Sequence, residues 1–367
     1  MRHLFLAAAT LAIASCSGGG QSYPEPSTPI EALEQAVLRA ADTGKAGAIL
    51  EVQGCGLSFQ HAEGIANRKT KTPMPLNEPL RIASIGKLYT AAVIHKLTQQ
   101  GMLDLNLTAT HYLNAGEIAG VPNADATLLQ LLNHTSGIPD YYDARSYFFT
   151  DWTQPITVEQ TLKVARRKRA TNAPGEAYAY SNTNFQILSL VAEKVTGQTF
   201  TQLINSQLLE PLQLNQTKYN TSHPGGTIHG YGTELRKNAD TWKYAENTGA
   251  DGGVTATSSD LSRYMKALFL ESGDLNAIGS AMQTKPLVEI GARQFSGAGV
   301  ELRETRSGIR MFGYTGDTMG YLTFAYAIPE HDVTLVGHIN SSNEDGFVEL
   351  LKTATLTVVE LCQGQGG

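Results

Sequence analysis

Arg81-Ile-Ala-Ser84-Ile-Gly-Lys87-Leu-Tyr-Thr90 runs directly into a helix-patterned segment that ends at Gly101. Ile85, Leu88, Ala92 and Leu97 keep the spacing of one helical face, and Gly101 suits the left-handed residue that closes a helix. The pattern predicts Ser84 at the helix N-terminus and Lys87 one turn on, facing it. A hydroxyl at the positive helix end, with an amine at i+3, suits a nucleophile and its base once burial lowers the lysine pKa. Ser-x-x-Lys also arises by chance. The chemical reading therefore needs companions elsewhere in the chain.

Upstream, residues 30 to 42 read as an amphipathic helix with Ile30, Leu33, Ala36, Val37 and Ala40 on one side and Ser27, Thr28 and Pro29 as start signals. Ala48 to Val52 and Leu57 to Ala66 read as strands joined by the turn Gly54-Cys55-Gly56, and Asn67 to Thr70 begins a polar loop. From Ser84 to about Asp240 the signals are mostly helical. Thr127 to Leu132 is a short apolar segment that ends at Asn133-His134-Thr-Ser-Gly137. A loop with Tyr141, Tyr142, Tyr147, Phe148, Phe149 and Trp152 follows, as a mixture of core and pocket wall. Pro174-Gly175 breaks the chain before Tyr178-Ala-Tyr180-Ser-Asn182, which enters a helix through Phe185, Leu188, Val191 and Val195.

Beyond Gly249-Ala-Asp-Gly-Gly253, Ser258 to Leu270 reads as a capped helix. Gly297 to Leu302, Ile309 to Tyr314, Gly320 to Ile328 and Val333 to Ile339 read as antiparallel strands, and Phe347 to Leu361 as a closing helix. The fold class is thus α/β, in the α+β sense: an antiparallel sheet built from both chain ends, flanked by helices, with an inserted mainly helical lobe. The boundaries are a sheet lobe at 30–83 and 241–362 and a helical lobe at 84–240.

At 367 residues and 41% hydrophobic composition, the chain can bury a large core, in two lobes and three at most. A formal net charge of -6 disfavours nucleic acid or an anionic membrane surface as partner. The basic run Arg166 to Arg169 reads as a solvated helix face. The nine histidines are scattered, without His-Glu-x-x-His or paired Cys-x-x-Cys spacing, so neither metal nor cofactor is expected.

Residues 1–15 have the form of a signal peptide, with Arg2 and His3 before an apolar run too short to span a bilayer. Ile13-Ala-Ser-Cys16 resembles the lipobox of bacterial lipoproteins, which implies lipidation of Cys16 and a membrane anchor. An ordinary cleaved signal is the alternative, and both imply export. Residues 16–29 form a Gly/Pro/Ser tether. Processing accounts for Cys16, which leaves Cys55 at the hairpin tip and Cys362 just past the last helix in an oxidising compartment. If the last strand lies antiparallel beside the first, the final helix finishes near that tip, and a Cys55–Cys362 disulfide is the hypothesis. Two unrelated buried thiols are the alternative.

Ser84-x-x-Lys87 within Arg-Ile-Ala-Ser-x-x-Lys, Tyr180-Ser-Asn182 after Pro174-Gly175, His134 to Gly137, and Gly252 to Leu261 recur in one order. On these motifs the chain, from Ile30 to Leu361, resembles the serine β-lactamase and penicillin-binding-protein-like family, with its class C β-lactamases, DD-carboxypeptidases, esterases and D-aminopeptidases. The resemblance implies that fold, with the active site between the lobes, and acyl transfer through a covalent intermediate. Ser84 is the implied nucleophile, Lys87 and Tyr180 the proton-handling pair, and Asn182 the residue that orients Lys87 and substrate. The backbone N–H groups of Ser84 and Asp317 are the implied oxyanion hole.

The third family motif, Lys-Thr-Gly or His-x-Gly, is matched by Tyr314-Thr315-Gly316. Tyr314 offers a hydrogen bond and an aromatic face where a cation would attract a substrate carboxylate. Arg303, Arg306 and Arg310 are candidates to supply that charge. A Ser84–His134–Asp140 triad is a weaker reading, because a loop histidine before Thr-Ser-Gly is more often a structural hydrogen-bonder. The expected function is a lipid-anchored, periplasm-facing serine hydrolase of small esters, amides or peptides, of DD-peptidase, D-amino-acid peptidase or carboxylesterase type. A β-lactamase ranks lower. From another class, a non-catalytic cell-wall peptide-binding protein of the same fold is the rival, although a binding pocket has no need of all four of Ser84, Lys87, Tyr180 and Asn182.

Overall fold

The computed structural model describes residues 25–41, 45–114, 116–142, 151, 153–219, 225–232, 238–244, 249–283 and 287–364. Cys16, the leader segment, and Tyr147, Phe148, Phe149 and Trp152 lie outside them. No helix among the described residues is long and apolar enough to cross a membrane.

The two ends of the chain meet in one sheet. Strand β1 (Gly47–Gly54) forms a hairpin with β2 (Leu57–Asn67), which also pairs with β3 (Thr72–Pro73). Two short strands, β4 (Leu80–Arg81) and β5 (Lys218–Tyr219), pair on either side of β6 (Val254–Ala256) in a separate small sheet. The C-terminal part adds β7 (Val288–Gly291), β8 (Gln294–Ser296), β9 (Glu301–Glu304), β10 (Arg310–Thr318), β11 (Tyr321–Ile328) and β12 (Val333–Ile339). The large antiparallel sheet has nine strands in the order β3-β2-β1-β12-β11-β10-β9-β8-β7. β1 lies antiparallel to β12, with Ala48 opposite Ile339 and Val52 opposite Leu335.

Side-chain alternation divides the core between the sheet's faces. Leu322, Phe324, Tyr326 and Ile328 of β11 face the terminal helices Pro29–Ala40 and Glu344–Gly364, against Leu33, Val37, Phe347 and Leu350. Ala325 and Ala327 face the other way, joining Tyr89, Phe185 and Leu188 of the inserted helices, and Tyr264. The Pro29–Ala40 helix starts as its sequence dictates: the Thr28 hydroxyl accepts from the Glu31 N–H, and Pro29 occupies the first turn. Helix Ser258–Phe269 bridges the two parts. Its Tyr264 stacks on Tyr89 at 4.0 Å between ring centroids, and Ser262 Oγ meets Thr334 Oγ1 at 2.6 Å.

Two features depart from the sequence reading. Gly297 to Val300 is a buried turn, and the strand starts only at Glu301. The turn packs against helix Gly86–Gln99 so closely that a Cβ on Gly299 would lie 2.2 Å from Ala91 Cβ. The β7–β8 hairpin and helix Asp274–Met282 are additional elements. Near the first hairpin tip, Cys55 and Cys362 are joined in a disulfide with their Cα atoms 5.5 Å apart.

Candidate active site

β4 delivers the chain into a one-turn 3-10 segment, Ala83–Ile85, and helix Gly86–Gln99 follows at once. Ser84 therefore stands in the tight turn that feeds the helix. Ala83 takes φ 48° there, a left-handed conformation that costs a non-glycine residue about 1 kcal/mol or more. Neighbouring strands hold the turn in place. Ile82 N–H donates to the Val254 carbonyl at 3.2 Å, and β10 approaches so tightly that a Cβ on Gly316 would lie 2.2 Å from the Ile82 carbonyl oxygen. β9 pairs with β10 only from Arg310 to Gly313, so the edge of residues 314–318 lies beside the Ser84 turn instead of in that ladder.

Helix Asn182–Thr196 brings up the second group. Ser181 is extended at its N-cap, which puts Tyr180 just before the first turn and Asn182 inside it. Ser84 Oγ lies 2.8 Å from Tyr180 OH and 3.1 Å from Lys87 Nζ. Lys87 is fully buried, and its ammonium also donates to Asn182 Oδ1 at 2.6 Å and to the Asp251 carbonyl at 2.7 Å. Three N–H bonds thus meet three acceptors. Burial lowers the Lys87 pKa to about 8, while the carboxylates of Asp251, Asp140 and Glu301 act in the opposite sense. Burial pushes the Tyr180 phenol well above its ordinary value, with the Ser84 hydrogen bond opposing that shift.

Behind these groups lies a layer whose function the sequence did not disclose. Asp140 Oδ1 accepts the Asn182 backbone N–H, and Oδ2 accepts Asn182 Nδ2, both at 3.1 Å. The pair settles the amide orientation, because the Asn182 oxygen is then the atom that faces Lys87. Burial raises the Asp140 pKa to about 6. The Asp251 side chain is held by Tyr141 OH at 3.0 Å and Gln186 Nε2 at 2.6 Å, which aligns its carbonyl on Lys87. A backbone carbonyl carries no residue signature, so no motif could have announced it. Asp140 was visible only as a candidate triad member.

That triad is not the arrangement found. His134 Nδ1 accepts the Ser181 N–H at 3.1 Å, Nε2 lies 3.2 Å from Tyr314 OH, and the Asp140 oxygens serve Asn182. His134 instead stacks on Tyr180, with ring centroids 4.4 Å apart. Tyr314 is buried, Thr315 half-buried, and Asp317 exposed at the end of β10. Nor do the three candidate arginines take the cation's place. Arg303 pairs with Glu301 at 3.8 Å and lies over the Tyr326 ring, on the sheet face opposite Tyr314. Arg310 lies 3.7 Å from Glu330, and Arg306 is exposed in the turn before β10.

Comparison with known proteins bears on the family and the fold. The profile of the family described as Beta-lactamase matches residues 33–359. Penicillin-binding protein 4* of Bacillus subtilis is 26% identical over 84% of this chain and 71% of its own. A D-aminopeptidase of Brucella anthropi is 25% identical over 76% of this chain, which spans only 52% of that enzyme's length. Among solved structures, a D-stereospecific amidohydrolase from Streptomyces sp. superposes with a TM-score of 0.75, at 24% identity, covering 87% of this chain and 97% of that one. That likeness speaks for the fold. The profile spans both the sheet strands and the inserted helices that meet at Ser84, and the chain belongs to the Beta-lactamase family of serine hydrolases.

Proposed function

We propose that the protein hydrolyses small amides, peptides or esters through an acyl-enzyme on Ser84, with D-amino-acid peptides as the favoured class. The observation that carries this reading is the placement of Ser84 Oγ between Lys87 Nζ at 3.1 Å and Tyr180 OH at 2.8 Å. Neutral Lys87 has two N–H bonds and one lone pair. With those N–H bonds directed to Asn182 Oδ1 and the Asp251 carbonyl, the lone pair is left for the Ser84 proton. Ser84 Oγ then attacks the substrate carbonyl carbon. The N–H groups of Ser84 and Asp317 receive the oxyanion, a contribution worth about 3 kcal/mol per donor in comparable hydrolases. Tyr180 gives its proton to the leaving group, and water releases the acyl group.

The names of the relatives support the substrate class, since they include a penicillin-binding protein and D-aminopeptidases. Tyr314 favours acyl groups without a free carboxylate, because no cation stands at its position. Hydrolysis of a short-chain nitrophenyl ester by wild type and Ser84→Ala tests the reading. The variant should lose at least about 10³-fold in kcat/KM. Equal, negligible rates from two well-folded proteins would favour the binding-protein reading instead.

A further inference from the structure

The proposed mechanism leaves a question at Tyr180. A buried phenol that yields its proton becomes a phenolate, and no cation stands at position 314 to stabilise it. His134 and Tyr314 are both buried, at 1% and 3% exposure, beside that phenol. The Ser181 N–H donates to His134 Nδ1 at 3.1 Å, so the neutral ring carries its proton on Nε2. That N–H points at the Tyr314 oxygen, 3.2 Å away. Tyr314 has one proton of its own, and the same His134 ring that meets its hydroxyl stacks on Tyr180 with ring centroids 4.4 Å apart, which sets the two phenols side by side. The proton order at Tyr314 follows from these contacts: His134 donates to the Tyr314 oxygen, which leaves the Tyr314 proton for an acceptor beside it.

We propose that His134 and Tyr314 form a neutral donor relay that aims one O–H at the Tyr180 oxygen and holds the phenolate formed when Tyr180 protonates the leaving amine. Tyr314 acts here as a positioning residue, working through Tyr180. The inference rests on the acyl-enzyme reading above. Lys87 takes the Ser84 proton as the Oγ–C bond forms. The C–N bond breaks as Tyr180 passes its proton to the departing nitrogen. The proton on Lys87 then returns to the Tyr180 oxygen. The net transfer is from Ser84 to the leaving group, with no oxidant or further reactant.

The test compares two substrates with one acyl group, a D-alanyl anilide and a D-alanyl nitrophenyl ester. The ester's leaving group departs without protonation and the anilide's does not. Tyr314→Phe should lower kcat on the anilide about 100-fold, with KM within about twofold, and lower it only a few-fold on the ester. Tyr314→Lys returns a donor and should recover at least about tenfold of the anilide rate relative to Tyr314→Phe. A purely structural role would depress both substrates alike. Equal losses on anilide and ester, with Ser84-dependent turnover intact, would overturn the relay alone. Wild-type turnover indifferent to Ser84→Ala would remove the acyl-enzyme reading and the relay with it.

Discussion

Lys87 shows how one side chain acquires a function from what surrounds it. An exposed lysine would hold its proton throughout the neutral range. With its pKa lowered to about 8, about one molecule in ten carries a neutral amine at pH 7. The neutral form is the competent base, so kcat/KM should rise with pH through about 8 and then level off. A pH–rate profile on a neutral ester checks this, and a profile flat between pH 6 and pH 9 would contradict it. At this scale the sequence was legible where chemistry requires particular side chains at fixed spacing: Ser84, Lys87, Tyr180 and Asn182 meet within hydrogen-bond distance. It was silent where the partner is a carbonyl, as at Asp251. It was ambiguous at His134 and Asp140, residues compatible with a triad until their partners proved to be Tyr314, Ser181 and Asn182.

Among elements, β10 has the most exacting task, because it must lie against the turn that carries Ser84. Gly316 permits that approach, and Gly316→Ala would drive a methyl group into the Ile82 carbonyl. The strand or the turn must then shift. A displacement of about 1 Å at a reacting group costs on the order of 100-fold in rate. Gly316→Ala should therefore lose that much ester turnover while still melting cooperatively; wild-type turnover from the variant would show that the turn tolerates the methyl. Long elements were readable because their periodicity repeats. β11 and β12 announce themselves by near-continuous apolar sequence, and each is buried on both faces. The short β7–β8 hairpin, half-exposed at the sheet edge, has too few residues for alternation to register. The apolar stretch from Gly297 to Val300 misled for the opposite reason. Its burial comes from packing of the turn against Ala91.

For the molecule as a whole, the disulfide joins the tip of the first hairpin to the end of the last helix, across a sequence separation of 307 residues. Closing so long a loop restricts the unfolded chain strongly, and loss of such a bond typically costs about 2–5 kcal/mol. Cys55→Ser paired with Cys362→Ser should lower stability by that amount in denaturant titrations. Ester turnover of the folded variant should stay near wild type, since neither cysteine belongs to the Ser84 cluster; unchanged stability would contradict the assigned role. Assembly of the sheet from both chain ends was readable because strand signals frame a helical middle. The pairing of β1 with β12 gives that reading its register.

The β1–β12 pairing also sets an order of events during synthesis. As the ribosome releases the chain from its N-terminus, β1 and β2 emerge together, but the partner on the other side of β1 is translated only after the whole helical insert. β10 and β11, which back the Ser84 turn, are late as well. Contacts of such high sequence separation form slowly and cannot form before both partners exist. A nascent chain halted between Lys87 and Val333 has its serine and lysine but lacks the finished sheet behind them, so competence for chemistry waits until β12 has been made.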